Sequence, residues 1–341
     1  MSLDEAHEPI DRYLRDQRYH GRSDRTIRAY DRVLRDFETF VQESTDPDSL
    51  EHATRERCME WVHTLRNEHK SSTVASYATY VNRFYRYMVE IGAFEQNPMA
   101  IVIDQMNESI DSDPVRREIT VDQMRSFIAS IDHPLDRAIV VTFLKTGIRV
   151  GELCNLDLRD LHLAENPLPD GANSPRAALD GRPNALFIPD EPTRGREYNN
   201  ELRSASNKRQ RATIIPVDRE LRLALIEWLA IRPDTPSLAE PLFADTTRNW
   251  GQRLTGASVR YRLRNHATEF GWYEPGADAA ENVTPHYFRH FFTTHLRDRT
   301  GDRGIVKYLR GDVADDIIET YTHNWGDRVK VLYERHIYSL L

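Results

Sequence analysis

The 341-residue chain reads as two domains, an all-α bundle followed by a larger mixed, mainly α domain with a small antiparallel sheet. Three observations predict this. Apolar residues recur at three- and four-residue steps through residues 1–103. The stretch 104–118, "DQMNESIDSDPVRRE", is polar, contains Pro114 and has no period, as expected of a linker. Across 119–341 the helical period resumes, broken by two short runs of residues suited to strands. The length is comfortable for two domains that each bury a core.

In the first domain, Ser23 precedes Ile27, Tyr30, Leu34, Phe37 and Val41, the apolar stripe of a capped amphipathic helix. Cys58, Trp61, Val62 and Leu65 mark a second helix. Ser71, Ser72 and Thr73 offer a cap for a third, whose face carries Val74, Tyr77, Val81, Phe84, Tyr87, Met88 and Ile91; Asn97–Pro98 closes the region. In the second domain, Thr120 caps a helix containing Met124, Phe127 and Ile131. The run "DRAIVVTFLKTG" predicts a mostly apolar helix that stops at Gly147. The strand signals are "ALFIP" from Ala185 and "ATIIPV" from Ala212, with a Pro- and Gly-containing loop over 164–183; helix returns from Asp218.

Composition excludes several classes. No run approaches the ~20 apolar residues of a membrane span, and the N-terminus lacks a signal-peptide pattern, so a cytoplasmic protein is expected. Cys58 and Cys154 read as buried thiols rather than a disulfide framework. The formal net charge is −8, which argues mildly against a nucleic-acid partner. Lysine occurs only at 70, 145, 208, 307 and 330, the other basic residues being arginine. Two readings fit that bias: adaptation to high salt, and arginine codons favoured by a GC-rich genome. Local charge is uneven. From Arg194, "RGREYNNELRSASNKRQR" sets six basic residues against Glu197 and Glu201, and "SVRYRLRNH" carries Arg260, Arg262 and Arg264. Such runs are usually solvated faces and are compatible with a phosphate backbone; Arg194, Arg196, Arg209, Arg211, Arg260 and Arg262 are the candidates.

Four stretches could carry chemistry, each weak by itself. In "TGIRVGEL", Arg149 opens a helix and Glu152 shares its face, which suits a phosphate site or a plain surface ion pair. In "NKRQRATIIP", Lys208 precedes a strand and could donate a proton. In "TPHYFRHFFTTHL", Thr284 and Pro285 start a helix that puts His286 and Arg289 one turn apart, beside Phe288, Phe291 and Phe292. The same spacing occurs at His52–Arg55 and His63–Arg66, so spacing alone decides nothing. In "ETYTHNW", Tyr321 follows Ile317 and Ile318 and reads by itself as a packing residue. Together, two arginines, a lysine, a histidine and a tyrosine make a phosphoryl-transfer set. The arginines hold non-bridging oxygens, the tyrosine attacks, and the lysine or histidine moves the proton. No metal or cofactor is called for, and no cluster with good metal-ligand spacing is evident.

The order Arg149, Lys208, His286-x-x-Arg289, Tyr321 resembles the tyrosine recombinase (phage integrase) family, in the style of its Xer-type and archaeal members, over essentially the whole chain. The resemblance implies a SAM-like core-binding domain over 1–103 and a catalytic domain over 119–341. It implies that Tyr321 attacks DNA to form a 3′-phosphotyrosyl link, that Arg149 and Arg289 clamp the phosphate, and that Glu152 supports Arg149. Lys208 would protonate the leaving oxygen and His286 assist proton transfer. The partners implied are double-stranded DNA and further copies of the chain, a dimer per site and a tetramer in synapsis, with the two domains closing as a clamp; the location implied is the nucleoid. One position departs from the pattern: "YLRGD" places Asp312 where the family carries a histidine or tryptophan, nine residues before the tyrosine. The segment 164–207 also exceeds what the compact family hairpin needs. The tail "VKVLYERHIYSLL" suits either a neighbouring protomer or its own chain. A non-catalytic DNA-binding regulator on the same fold and a relaxing type IB topoisomerase are the competing readings.

Overall fold

The computed structural model describes residues 9–43, 49–109, 115–164, 174–312 and 328–341. The chain divides into two compact units, Met1–Pro114 and Val115–Leu341. None of the described helices is long and apolar enough to cross a membrane.

The first unit is all helix: α1 (Pro9–Tyr19), α2 (Asp24–Gln42), α3 (Arg55–Glu68), α4 (Ser71–Glu90) and α5 (Met99–Gln105). Ser23 Oγ accepts from the Thr26 amide at 3.3 Å and caps α2, whose Ile27, Tyr30, Leu34, Phe37 and Val41 are all buried. Lys70, not a serine, occupies the cap position of α4, so Ser71 and Ser72 lie in its first turn. Phe37 meets Trp61 and Tyr85 edge-on, with centroids 5.0 and 6.1 Å apart, a geometry worth about 0.5–1.5 kcal/mol per pair beyond burial. The expected linker is divided. α5 occupies its first residues, and Glu108 pairs with Arg66 at 2.5 Å within this unit. Arg117 instead donates its amide to Ala280 in the second unit.

The second unit is built round α7 (Pro134–Thr146), which follows α6 (Val121–Ala129). Thr120 and Gln123 form a capping box on α6; Ile131 falls just beyond its end yet stays buried. Every residue of α7 from Ala138 to Thr146 is buried, as a helix apolar all round must be. Val140, Val141, Phe143 and Leu144 are each 0% exposed, worth about 1.5–3 kcal/mol apiece. Then come α8 (Val150–Asn155), β1 (Leu161–His162), β2 (Ala185–Ile188), β3 (Glu197–Tyr198), β4 (Glu201–Leu202), β5 (Thr213–Pro216), α9 (Arg219–Ile231), α10 (Gly256–Glu269), α11 (Pro285–Thr300), α12 (Arg303–Arg310) and α13 (Lys330–His336). α9, α10 and α11 pack on α7.

The sheet is antiparallel in the order β1-β2-β5, with Leu186 facing Leu161 on one side and Ile215 on the other. β1 has only two residues and was not expected. Nor was the β3-β4 hairpin, whose turn residues Asn199 and Asn200 have φ of 53° and 56°, the left-handed conformation that asparagine tolerates in a two-residue turn. The C-terminal tail packs on its own chain. Lys145, fully buried, donates to Tyr338 O at 2.5 Å and Asp218 Oδ2 at 2.7 Å, and Glu220 accepts from the Leu340 amide at 2.7 Å.

Gly147 ends α7 with φ of 63°, and a Cβ built there would lie 2.3 Å from the Phe292 ring of α11. Gly147→Ala therefore combines a strained φ with a core clash. It is expected to cost about 2–4 kcal/mol, read as a fall in melting temperature; an unchanged melting temperature would refute the close approach.

Candidate active site

The stop of α7 at Gly147 turns the chain so that Arg149 takes the cap position of α8. Glu152 accepts the Arg149 amide at 2.8 Å through Oε2 and the Arg149 guanidinium at 3.0 Å through Oε1. Glu152 is fully buried. A carboxylate taken out of water needs paired cations, and a second guanidinium supplies one: Arg209 Nε lies 3.3 Å from Oε1. The Arg149–Glu152 pair is thus part of a buried cluster rather than a surface pair.

α11 delivers the next member. Pro285 is its first residue; Thr284 holds the cap position, though its side chain makes no capping bond. Phe288, Phe291 and Phe292 are buried and fix the helix against the core. Arg289, 3% exposed, points to the same place as Arg149. It donates to Gly147 O at 2.5 Å, to Arg310 O at 3.1 Å and to Asp312 Oδ2 at 2.6 Å.

Asp312 is the centre of the arrangement. Arg149 Nη2 binds its Oδ1, and Arg289 and Arg310 reach its Oδ2 at 2.6 and 2.9 Å. Burial alone would raise its pKa, but Arg289, Arg310 and Arg149 outweigh that and hold it below the usual carboxylate range. Burial lowers the Arg289 pKa, with Arg149 and Arg310 adding to the effect, to about 9, which leaves it charged at neutral pH. Gly311, between Arg310 and Asp312, has φ of 70°, and a Cβ there would fall 2.5 Å from Arg209 Nη1. Arg209 cannot give way, because Glu152 and the carbonyl of Leu309 hold it at 3.3 and 3.2 Å. Four guanidiniums thus surround two carboxylates, a positively charged site able to bind an anion bidentately.

The other expected residues are placed as follows. Lys208 is exposed beside the cluster, its carbonyl accepting from Arg149 Nη1 at 3.3 Å. His286, one turn before Arg289, keeps part of its surface open to solvent; the packing round its ring, then Arg116, Arg289, Arg310 and Arg149, lower its pKa and favour the neutral form. Tyr321, with His323 and Asn324, lies outside the described residues. Two of the candidates for DNA contact are engaged within their own domain. Arg209 is buried against Glu152, and Arg262 is held at 3.1 Å by both Asp136 and Asp245 with its side chain 12% exposed. Each neutralises a carboxylate of its own domain instead of facing outward. Arg194, Arg196, Arg211 and Arg260 are exposed. The residue sequence reasoning missed is Arg310. Its only local signal is a charge beside Asp312 in "YLRGD".

Comparison with known proteins bears on this geometry. Residues 10–92 match the phage integrase N-terminal SAM-like domain. The chain is 27% identical to the tyrosine recombinase XerD of Listeria innocua, over 92% of this chain and 93% of that protein. Among solved structures, the Tn1549 transposon integrase in complex with circular intermediate DNA superposes with a TM-score of 0.63 at 17% identity, over 93% of this chain and 95% of that one. The lambda integrase tetramer bound to a Holliday junction gives 0.61 at 16%, over 91% and 77%. At those identities the two structures establish the fold. A match to the SAM-like domain over residues 10–92, likeness to Xer recombinases along nearly the whole chain and the integrase fold together support the tyrosine recombinase, or phage integrase, family.

Proposed function

We propose that this protein is a site-specific DNA recombinase that cuts and rejoins duplex DNA through a 3′-phosphotyrosyl intermediate. The observation that carries the reading is the convergence of Arg149 and Arg289, from segments 140 residues apart in the chain, on a single carboxylate. Two planar forks aimed at one anion are what a scissile phosphodiester requires. The Tyr321 oxygen attacks phosphorus and the P–O5′ bond breaks. Phosphorus then stays on the 3′ side, linked to tyrosine, and the 5′ oxygen leaves as a hydroxyl. Lys208 supplies the proton that oxygen takes. His286, with its ring favoured neutral, accepts or relays the tyrosine proton. Arg149 and Arg289 stabilise the charge that develops on the non-bridging oxygens, and Glu152 holds Arg149 in register. No step of this scheme calls for a metal ion.

The partners follow the same reading. The relatives that share the fold are held on DNA, one of them as a tetramer on a Holliday junction, which supports a dimer on each site and a tetramer in synapsis. The SAM-like unit supplies further contacts to duplex DNA, and the protein works at the nucleoid. The Asp312 carboxylate lying on both arginines favours a second reading, a DNA-binding regulator that does not cut.

One experiment separates them. DNA ends covalently attached to the wild-type protein are recovered from cells and sequenced, and a nicked suicide duplex is built on that junction. A protein–DNA adduct that forms in chelator and is lost in Tyr321→Phe is the expected result. Absence of an adduct from low to molar salt overturns the enzyme. Exchange between two such sites, beyond relaxation of supercoils, excludes the topoisomerase.

A further inference from the structure

Arg310 and Asp312 enter the site together, from the last turn of α12 and the residue after its left-handed glycine. Arg310 is not merely a helix-terminal cation turned to solvent. Its side chain is 28% exposed, its Nη2 is 2.9 Å from Asp312 Oδ2, and its carbonyl accepts from the buried Arg289. Its Nε is buried and has no hydrogen-bond partner among the described residues. The carboxylate it touches is the one on which Arg149 and Arg289 converge. One carboxylate has two oxygens, and here they are shared by three forks, an arrangement that suits the oxygens of a phosphate at least as well.

We infer that Arg310 is a third phosphate-binding, catalytic arginine of this site, and that Asp312 is a positioning residue whose carboxylate holds the three guanidiniums until the scissile phosphate displaces it. The inference rests on the reading of the site as a DNA-cleaving one. Asp312 stands in for the two non-bridging oxygens: its Oδ1 takes Arg149, and its Oδ2 takes Arg289 and Arg310. Without such an anion, Arg149, Arg289 and Arg310 would face one another across a half-buried site, and their repulsion would disperse them. Gly311 makes the exchange local. Its backbone is fixed by the tight approach of Arg209, so the carboxylate turns away at its own side chain while the arginines stay. The phosphodiester carries one negative charge and the five-coordinate transition state carries two. A third fork therefore acts chiefly as that second charge develops.

The test uses the full chain and the nicked duplex defined above, with the scissile linkage made either as a phosphodiester or as a methylphosphonate, which has no anionic oxygen. Arg310→Leu is expected to slow adduct formation at saturating phosphodiester DNA by about tenfold or more, with Arg310→Lys recovering part of the rate. The loss persists when Arg310→Leu is placed in an Asp312→Asn background, and it shrinks to about threefold or less on the methylphosphonate. Asp312→Asn alone is expected to tighten duplex binding by about fivefold, since a competing charge is gone. Four results would overturn the inference: an Arg310→Leu rate equal to wild type, a loss that vanishes in the Asp312→Asn background, an equal loss on both linkages, or duplex binding that Asp312→Asn does not improve. If wild type itself forms no Tyr321 adduct, the underlying reading falls as well; if it does and Arg310→Leu matches it, only this inference falls. Thermal melts of each variant confirm that the rates compare folded proteins.

Discussion

With Arg289 replaced by alanine, covalent adduct formation falls by about 10³-fold, whereas binding to the same duplex weakens far less. The asymmetry follows from where the residue sits. Arg289 is buried and its fork is aimed inward by the carbonyls of Gly147 and Arg310, so it adds little to long-range attraction of DNA. On the proposed mechanism it supplies a fixed, desolvated charge beside the reacting phosphorus, where each donor counts for more than in water. Arg289→Lys keeps the charge but loses the fork. An ammonium has three donors but no planar fork, so it cannot reproduce the bidentate geometry that Arg289 presents to an anion, and a loss of about 10²-fold is expected there. The alanine variant also strands the buried carbonyl of Gly147, at a cost of about 1–3 kcal/mol, and the half-buried one of Arg310, so a lower melting temperature accompanies the lost rate. Single-turnover rates at saturating DNA separate the two effects. An alanine variant that folds and cleaves within tenfold of wild type would remove Arg289 from the chemistry.

Much of this was legible in sequence because periodicity reports which face of one element is buried. Ile27, Tyr30, Leu34, Phe37 and Val41 are buried as their spacing requires, and an apolar run ending in Gly147 became the central helix. Tyr77, Tyr87 and Ile91 share a face with Val74 and Val81 but reach only its margin, since a stripe has edges that spacing does not reveal. Local boxes brought Arg149, Glu152 and Arg289 to one place. Long-range electrostatics stayed hidden. Nothing near Arg209 marks it as the partner of Glu152, 57 residues earlier, rather than a DNA contact. Asp312, read as a departure from the family pattern, proved to be the anion between three arginines separated from it by as many as 163 residues. Two-residue strands such as β1 carry too few residues for any period, and they form because the neighbouring strand completes their hydrogen bonds.

The length of the segment that precedes Lys208 has a physical reason, and it leads to the second large effect. Asp157, fully buried, accepts from Arg203 at 2.9, 3.1 and 3.2 Å, from Arg253 at 2.6 Å and from Asn199 at 2.8 Å. Arg253 in turn binds Glu201 at 2.6 Å. The β3-β4 hairpin is thereby pinned to the body of the domain by charges rather than by an apolar face, since Leu202, its largest apolar side chain besides Tyr198, is 71% exposed. Past the hairpin, Asn207 bonds to Asn155 at 2.8 Å and to Pro189 O at 2.6 Å, so the chain reaches Lys208 with its backbone fixed next to Arg149. Removing one partner of such a network leaves a buried charge without its counterion. Asp157→Ala is expected to cost about 3–5 kcal/mol, a fall of roughly 6–20 °C in melting temperature for a domain of this size. Arg203→Met should cost a similar amount. The double variant Asp157→Ala/Arg203→Met, which removes both charges, should recover part of the loss, because Arg253 keeps Glu201 as its partner. The same loosening should slow adduct formation in Asp157→Ala even below its melting temperature, since Lys208 then loses its fixed backbone. Strictly additive melting shifts across the three variants would show that Asp157 and Arg203 act independently, and that the hairpin is held by something other than this pair.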